Sequence, residues 1–183
     1  MEVNEKLQLQ WILETEYCYH GIPLSNGVFG ALVWFEGNKI MLTVNRADYW
    51  DRRGVRPLSD KTSYETLRKL LSEGKTDEVK ALFDEFYING CRVRQTRLPM
   101  GRFELELRKD IAITAAKLDM YIGEAFIDCK SESENFTIRI GLSEDNSVLV
   151  IEDTGKSISN CKGAPAYSFD KVKEYYDKTG INP

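Results

Sequence analysis

The stretch from Ile22 to Trp50, IPLSNGVFGALVWFEGNKIMLTVNRADYW, decides the fold class of this chain. Its run from Val28 to Phe35 is apolar, with β-branched and aromatic residues, which is typical of a strand buried on both faces. The pair Gly37-Asn38 interrupts this run as a hairpin turn does, and a strand pattern resumes from Lys39 to Val44. The segment therefore predicts two antiparallel strands joined by a tight turn.

Polar and aromatic residues follow the second predicted strand at the point where it ends. Asn45, Asp48 and Trp50 lie close together in this part of the sequence. A sugar site uses an aromatic face against the apolar side of the ring, and amide and carboxylate oxygens for the hydroxyl groups. The three residues are therefore candidate substrate-binding residues for a carbohydrate. The same cluster would equally serve to anchor a loop, and the residue types do not separate the two interpretations.

Alternating apolar and polar residues predict further strands in the second half of the chain. From Arg102 to Arg108, apolar side chains occupy every second position and glutamates occupy positions between them. Shorter patterns follow at intervals of about 10 residues, which is typical of a sandwich or barrel of antiparallel strands. The further predicted strands are Asp110 to Ala115, Met120 to Ile122, Glu124 to Lys130, Asn135 to Leu142 and Ser147 to Glu152.

Three helical patterns accompany these strands. Leucines at helical spacing after Tyr64 predict a first helix that ends at Gly74, since glycine is the usual residue just beyond a helix C-terminus. A second helix is predicted from Thr76 to Phe86, with acidic residues in its first turn. A short third helix is predicted from Ser168 to Lys178, with Ser168 as its N-cap.

Together these elements predict a mainly β fold: an antiparallel β-sandwich with an inserted helix pair and a short C-terminal helix. A length of 183 residues is that of one domain, or of one domain with a small appendage. We expect the sandwich over residues 1–160, with a helical excursion at 62–89. Residues 161–183 are then a tail that carries the short helix.

The charge and hydropathy of the chain exclude two classes of partner. The net charge is −4, from 25 basic and 29 acidic residues, whereas nucleic-acid binding needs a clustered basic surface. No apolar stretch approaches the roughly 18 residues of a membrane span, so no membrane association is expected. The first ten residues are polar and lack a signal core, so we expect a cytoplasmic chain, or a periplasmic or secreted one from which a leader was removed.

The sequence offers few residues for metal binding or for catalysis. His20 is the single histidine, and the four cysteines are widely spaced, so no metal site and no cofactor are expected. This spacing favours free or buried thiols over a disulfide framework. Paired carboxylates, which glycoside hydrolysis needs, occur at alternate positions, but such pairs are also typical of solvated strand faces. These pairs are Glu14 with Glu16, Glu104 with Glu106, and Glu132 with Glu134.

Taken in order, several segments resemble the N-terminal domain of glycoside hydrolase family 95 and, more loosely, that of family 65. The resemblance extends from about Trp11 to Asp153. Departures from the family pattern occur at Ser25 and Arg46, where the family has glycine and an acidic residue, and at Met100 and Arg102, where it has leucine and aspartate. The segments that carry the resemblance are PLSNG at Pro23–Gly27, GALVW at Gly30–Trp34, LTVNRADYW at Leu42–Trp50, LRKLLSEGK at Leu67–Lys75, LPMGRFEL at Leu98–Leu105 and LDM at Leu118–Met120.

The resemblance implies a twisted supersandwich, similar to mutarotase-like domains, that precedes a helical-barrel catalytic domain. In the family, that barrel carries the hydrolysis, which is α-L-fucosidase-like. A helical barrel of this kind is too large for the present chain, so no catalytic residue is implied here. The chain is expected to be inactive when alone, and its part is to brace the barrel or to form the rim of its active site.

Two other functions remain open from the sequence. The chain is alternatively a free-standing carbohydrate-binding module, which would bind sugar without any further domain. It is alternatively a partner-binding structural domain, in which the helix pair from Tyr64 to Ile88 contacts another protein. The expected partners are then the missing catalytic barrel or a second copy of the chain through self-association.

Overall fold

A computed structural model of the chain describes residues 7–13, 17–53, 60–83, 87–88, 91–93 and 95–182. The chain divides into two compact units. The first unit comprises Met1–Tyr49 and Pro99–Ser168, and the second comprises Trp50–Leu98 and Phe169–Pro183.

The described residues form fourteen strands and three α-helices, as the sequence pattern predicts for a mainly β fold. The strands are β1 (Gln8–Trp11), β2 (Ile22–Ser25), β3 (Phe29–Glu36), β4 (Lys39–Arg46), β5 (Trp50–Asp51), β6 (Tyr87–Ile88), β7 (Cys91–Arg92), β8 (Thr96–Arg97), β9 (Gly101–Leu107), β10 (Ala112–Asp119), β11 (Glu124–Lys130), β12 (Asn135–Leu142), β13 (Leu149–Asp153) and β14 (Ile158–Pro165). The helices are α1 (Tyr64–Ser72), α2 (Thr76–Phe83) and α3 (Asp170–Thr179).

The first unit is an antiparallel β-sandwich of two five-stranded sheets, which confirms the predicted fold class. One sheet has the strand order β1-β10-β11-β12-β13, and the other has the order β14-β9-β4-β3-β2. Isoleucines from both sheets, among them Ile40, Ile127 and Ile138, are fully buried in the shared core. Each such side chain stabilises the fold by roughly 1.5–3 kcal/mol relative to an exposed position.

The predicted hairpin is the pair β3–β4. Glu36 pairs with Lys39, so Gly37 and Asn38 form a two-residue loop, and Gly37 has a φ of 57° that favours glycine. The Asn38 amide donates to the carbonyl oxygen of Leu107 at 3.2 Å, which fastens the loop to the end of β9. Because β4 also pairs with β9 and β3 also pairs with β2, the hairpin lies inside the sheet rather than at its edge.

The prediction of a strand buried on both faces is confirmed for β3. Its consecutive residues Val33, Trp34 and Phe35 are all buried, although alternate side chains of a strand point to opposite faces. β4 behaves in the same way from Ile40 to Leu42. The central strand β4 and its neighbour β3 are thus buried on both faces over these residues.

One predicted strand, Met120 to Ile122, is wrong. These residues form the turn between β10 and β11, and Met120 and Ile122 are about half-exposed. The carboxylate of Asp119 accepts hydrogen bonds from the backbone of Tyr121 at 3.0 Å and of Ile122 at 3.3 Å. An aspartate that binds the backbone just after itself favours a turn over a continued strand, whatever the apolarity of the residues that follow.

The strands that the sequence pattern missed include β1, β2 and β14. β2 lies where turn residues dominate, and β14 has the sequence ISNCKGAP, which lacks an alternating apolar pattern. All three are edge strands, and most of β14 is exposed, so burial does not impose a pattern on it. The predicted boundary after residue 160 falls within β14, and the predicted domain division stays a prediction.

The helix pair in the second unit agrees with the predicted pattern as far as Phe83, and the predicted end of the second helix at Phe86 lies outside the described residues. The Ser63 hydroxyl accepts a hydrogen bond from the backbone of Thr66 at the start of α1. At the end of α1, the backbone of Gly74 donates to Leu71 and that of Lys75 donates to Leu70, which is the Schellman arrangement. Gly74 has a φ of 73°, so the predicted role of this glycine is confirmed.

The C-terminal helix is confirmed, but its predicted cap is wrong. α3 begins after Phe169, which occupies the N-cap position without a side-chain hydrogen bond. The Ser168 hydroxyl instead donates to the carbonyl oxygen of Pro165 at 2.7 Å. No helix in the described part of the chain is both long enough and apolar enough to cross a bilayer.

Three cysteines, Cys18, Cys129 and Cys161, are free thiols, as the sequence favoured. The side chain of Cys91 lies outside the described residues. Burial of Cys129 in the core, together with the nearby carboxylates of Asp153 and Asp128, raises the pKa of its thiol to about 11. Cys161 is exposed on the edge strand β14.

We expect Cys161 to react with iodoacetamide at least about tenfold faster than Cys129 in the folded chain. The thiolate is the nucleophile, and Cys129 is both buried and little ionised, whereas Cys161 is exposed. A pKa of about 11 leaves roughly one thousandth of the Cys129 thiol ionised near pH 8, and burial restricts access further. Peptide mass mapping of timed samples measures both rates. Urea-unfolded chain is the control, since both cysteines should then react alike; equal rates in the folded chain would contradict the burial of Cys129.

Candidate functional site

Asn45, the first of the predicted sugar-binding residues, lies near the end of β4 in the first unit. Its side-chain oxygen accepts a hydrogen bond from the backbone of Met100 at 3.4 Å. This contact ties the end of β4 to the residue that precedes β9. The side chain therefore contributes to the fold, as the loop-anchoring interpretation of the sequence expects.

Asp48, the second predicted residue, forms a two-point ion pair with Arg46. The Arg46 Nε atom lies 2.9 Å from Oδ1 of Asp48, and Nη2 lies 2.8 Å from Oδ2. The remaining Nη1 donates to the Ser147 hydroxyl at 2.8 Å. Hydrogen bonding to Asp48, with its negative charge, raises the pKa of the Arg46 guanidinium. Asp48 thus fixes the orientation of a cationic side chain at the sandwich surface.

An apolar cleft of about 680 Å³ opens between the two sheets of the sandwich. Leu42, Phe103 and Leu105 line it from β4 and β9, and Leu149 and Ile151 line it from β13 in the opposite sheet. It opens here because β13 and β14 are edge strands, so neither sheet continues beyond them. The other residues around the cleft are Phe29, Val44, Arg46, Met100, Gly101, Arg102, Ser147, Cys161, Gly163, Ala164 and Pro165.

Phe103 supplies an aromatic surface to this cleft. It shares the inward face of β9 with the buried Leu105, yet it is 44% exposed. In the register of the sheet Phe103 lies beside Leu42 on one side and Gly163 on the other. A Cβ atom at Gly163 would lie 3.4 Å from the Phe103 ring, an ordinary van der Waals contact, so Gly163 lies directly beside the ring.

A polar hollow of about 410 Å³ lies on the other side of Arg46. The Asn26 amide donates to the carbonyl oxygens of Ser143 at 2.8 Å and Asn146 at 3.0 Å, which holds the β12–β13 loop against the turn before β3. Arg46 and Ser147 line both the apolar cleft and the polar hollow. The hollow is lined by Asn26, Val28, Arg46, Glu144, Asp145, Asn146 and Ser147.

This arrangement places an aromatic and aliphatic surface next to a group of amide, carboxylate and hydroxyl groups. A neutral ring with one apolar face and several hydroxyl groups suits such a boundary, because each side of the ring meets a matching surface. The fixed Arg46 side chain stands at the boundary itself. The boundary thus offers an apolar surface and hydrogen-bonding groups side by side.

Trp50, the third predicted residue, begins the second unit and is 43% exposed. It lies in the short strand β5, where it pairs with Arg97 of β8. Asn45 and Asp48 belong to the first unit, where the Asn45 side chain contacts Met100 and the Asp48 carboxylate binds Arg46. The geometry of the site thus rests on Arg46, Phe103 and Ser147, which the sequence did not single out as site residues.

A buried charged cluster follows Trp50 in the second unit. The Asp51 carboxylate is almost fully buried and binds the Arg53 guanidinium through two contacts of 2.9 Å. Arg53 also donates to the carbonyl oxygen of Thr179, and the Tyr175 hydroxyl lies 3.4 Å from Asp51. These contacts fasten β5 to α3. The hydrogen bonds from Arg53 hold the pKa of Asp51 below its usual value, although burial opposes this effect.

The remaining acidic pairs occupy ordinary positions. Glu104 and Glu106 lie on β9, where Glu104 forms an ion pair with Lys39 at 3.5 Å. Glu132 and Glu134 lie in the turn between β11 and β12, not on a strand, and the pair Glu14 and Glu16 lies outside the described residues. No group of three or more metal-ligating side chains occurs in the part of the chain that the structure describes.

Comparison with known proteins adds no family assignment. No protein-family model matches the chain, and no curated protein matches it. The resemblance to glycoside hydrolase family 95 therefore stays a prediction that rests on the residues quoted above.

We expect Asp51→Asn to loosen α3 at neutral pH by about 1–3 kcal/mol of local opening free energy, because Arg53 then loses its buried partner. Since the folded-state pKa of Asp51 is lowered, its carboxylate stabilises the fold above the unfolded pKa of about 3.9. This contribution is lost as the pH falls through the folded-state pKa. Hydrogen-exchange protection of α3 amides, compared near pH 6 and near pH 3, measures the effect.

The matched control is Asp77→Asn, which removes a fully exposed carboxylate paired with Lys80. An exposed pair of this kind contributes roughly 0–1 kcal/mol, so α3 should keep its protection. If the hydrogen-exchange protection of α3 differs between wild type and Asp51→Asn by the same amount at neutral and at acidic pH, the ion pair does not hold α3.

Proposed function

We propose that this chain is a non-catalytic β-sandwich domain of an α-L-fucosidase-like glycoside hydrolase, and that it contacts carbohydrate at the boundary between the apolar cleft and the polar hollow. In the parent enzyme it braces or rims a helical-barrel catalytic domain. The ordered segments of family resemblance support this proposal. The β-sandwich architecture, with a helix pair after the first hairpin, agrees with what that resemblance implies.

The Arg46 side chain is the observation that carries the carbohydrate part of the proposal. Its guanidinium is held by Asp48 on one side and by Ser147 on the other, so it does not need to be ordered when a ligand arrives. Preorganised polar groups next to an exposed aromatic ring lower the entropic cost of binding a sugar. The aromatic ring is Phe103, at the opening of the cleft.

Phe103→Ala tests the carbohydrate contact in the chain as it stands. We expect methyl glycosides of fucose, galactose and glucose, titrated at millimolar concentration, to shift amide resonances of β9 and of the β12–β13 loop. Loss of the aromatic surface should weaken that binding roughly 3- to 10-fold, since aromatic contacts contribute about 0.5–1.5 kcal/mol. Two-dimensional NMR measures both the location and the affinity.

The control for this test is Phe83→Ala, which removes an exposed phenylalanine from α2 in the second unit. It should leave the affinity unchanged within the error of the titration. If none of the three glycosides shifts the resonances around the cleft, or if Phe103→Ala binds as tightly as wild type, the assignment of a sugar contact to this cleft fails.

A second candidate function, a structural domain that binds a partner through the helix pair, has one observation in its favour. No described residue of α1 or α2 is buried, although both helices carry apolar residues at helical spacing. Tyr64, Leu71 and Phe83 are each more than half exposed. Apolar side chains left exposed on two neighbouring helices favour an interaction surface there.

Leu71→Glu tests this second candidate with a second copy of the chain as the partner. If the helix pair mediates self-association, sedimentation velocity should give a mass above 21.0 kDa that rises with concentration. Leu71→Glu should then restore the monomer, because a charge at the contact costs desolvation. The control is Ile122→Glu, which changes an exposed aliphatic residue in the β10–β11 turn and should leave the self-association unchanged. A wild-type chain that is monomeric at all concentrations removes self-association through these helices.

A further inference from the structure

Tyr17, Tyr19 and His20 form a compact aromatic group beside the edge strand β2, away from the apolar cleft. The rings of Tyr17 and Tyr19 are stacked, with centroids 5.0 Å apart and planes within 6° of parallel. The His20 ring meets both edge-on, at 5.5 Å from Tyr17 and 4.7 Å from Tyr19. We call this group the aromatic platform.

The outer face of Tyr19 is open to solvent. If His20 covered that face, it would lie much farther from Tyr17 than 5.5 Å, so it must stand beside the stacked pair. Tyr19 is 65% exposed although its inner face is stacked on Tyr17. A flat aromatic surface of this kind, held in place by a second ring, is available to a ligand.

The backbone holds the aromatic platform in position. A short 3-10 turn from Cys18 to His20 closes through hydrogen bonds from His20 to Tyr17 at 3.0 Å and from Gly21 to Cys18 at 3.1 Å. The Trp11 indole donates to the carbonyl oxygen of His20 at 2.6 Å. A Cβ atom at Gly21 would lie 2.8 Å from the carbonyl oxygen of Val33, so the turn is packed directly against β3. The rings are therefore preordered before any ligand binds.

We propose that the open face of Tyr19, backed by Tyr17 and flanked by His20, is a second carbohydrate-binding site on which a neutral pyranose ring stacks. Tyrosine offers a large, rigid contact area at low entropic cost. The apolar C–H face of a sugar matches the ring face, while the tyrosine hydroxyls and the imidazole nitrogens provide hydrogen-bonding groups for sugar hydroxyls. The choice of a sugar among flat ligands rests on the proposed function.

Two other ligand classes fit the aromatic platform less well. Single-stranded nucleic acid also stacks on aromatic rings, but it needs a positively charged groove for its phosphates. The sequence just before the platform carries Glu14 and Glu16 instead, and the chain has a net charge of −4. A quaternary ammonium group is usually held between several aromatic rings. Tyr17 and Tyr19 already contact each other, so they leave no space between them for such a group.

Tyr19→Ala and Tyr19→Phe test the aromatic platform in the full chain. The probes are methyl glycosides of fucose, galactose, glucose and mannose, and the soluble polysaccharides xyloglucan and galactomannan. We expect at least one probe to shift the amide resonances of Cys18 to Gly21. Tyr19→Ala should weaken that binding roughly 3- to 10-fold, and Tyr19→Phe should keep it within about twofold, because the ring face makes the contact.

Tyr121→Ala is the matched control, since Tyr121 is a similarly exposed tyrosine in a turn and lies outside the platform. Its affinity for the probe should equal that of wild type. The proposal would be overturned if Tyr19→Ala left the affinity unchanged, or if Tyr19→Ala and Tyr121→Ala lost affinity equally. It would also be overturned if the wild-type chain had a concentration-dependent mass that Tyr19→Ala abolished. The last result would assign the platform to self-association.

The location of the sugar-induced shifts separates this proposal from the proposed function. Shifts confined to β9 and the β12–β13 loop support the cleft and overturn the platform. Shifts confined to Cys18 to Gly21 support the platform and overturn the assignment of sugar binding to the cleft. No shifts from any probe would overturn both.

Discussion

The burial of β4 on both faces is the constraint on which the rest of the sandwich depends. Its hydrogen bonds join β3 on one side and β9 on the other, and Ile40, Met41 and Leu42 are all buried. A strand in this position cannot slip by one residue, because each side chain would then move to the opposite face. The fixed register also determines where β4 leaves the core, and Arg46 emerges at that point.

The candidate site follows from this exit and from the end of the opposite sheet. β13 is the last strand of its sheet and lines the cleft opposite β4 and β9. Side chains on the inward face of β9, such as Phe103, are therefore partly exposed in this cleft. Arg46 lies at its border and is held by Asp48 and Ser147. The proposed sugar contact uses the Arg46 guanidinium held by Asp48 and Ser147, and the aromatic platform uses rings held by a hydrogen-bonded turn. Such preorganisation lowers the entropic cost of binding a small ligand.

Sequence patterns predicted the parts of the fold that burial imposes. The hairpin β3–β4 and the glycine that ends α1 were predictable because a period of two, a two-residue loop and a positive φ each require particular residues. β14 was not predictable, because its residues show no alternating apolar pattern and it is a strand only through its hydrogen-bonded pairing with β9. The Met120–Ile122 prediction failed because the Asp119 carboxylate decides the local backbone, not the apolarity of its neighbours.

The edge strands on the cleft side also bear on how the sandwich avoids joining other sheets. An unpaired strand edge is a template for another chain, and proteins limit this with charges, proline or short strands. β13 is short and ends in Glu152 and Asp153, while β14 carries Lys162 and ends at Pro165. Glu152 is in turn held by Arg139, which also forms an ion pair with Glu124 on β11. Short length, charged residues and a proline at these edges are the features by which sheet proteins limit pairing with another chain.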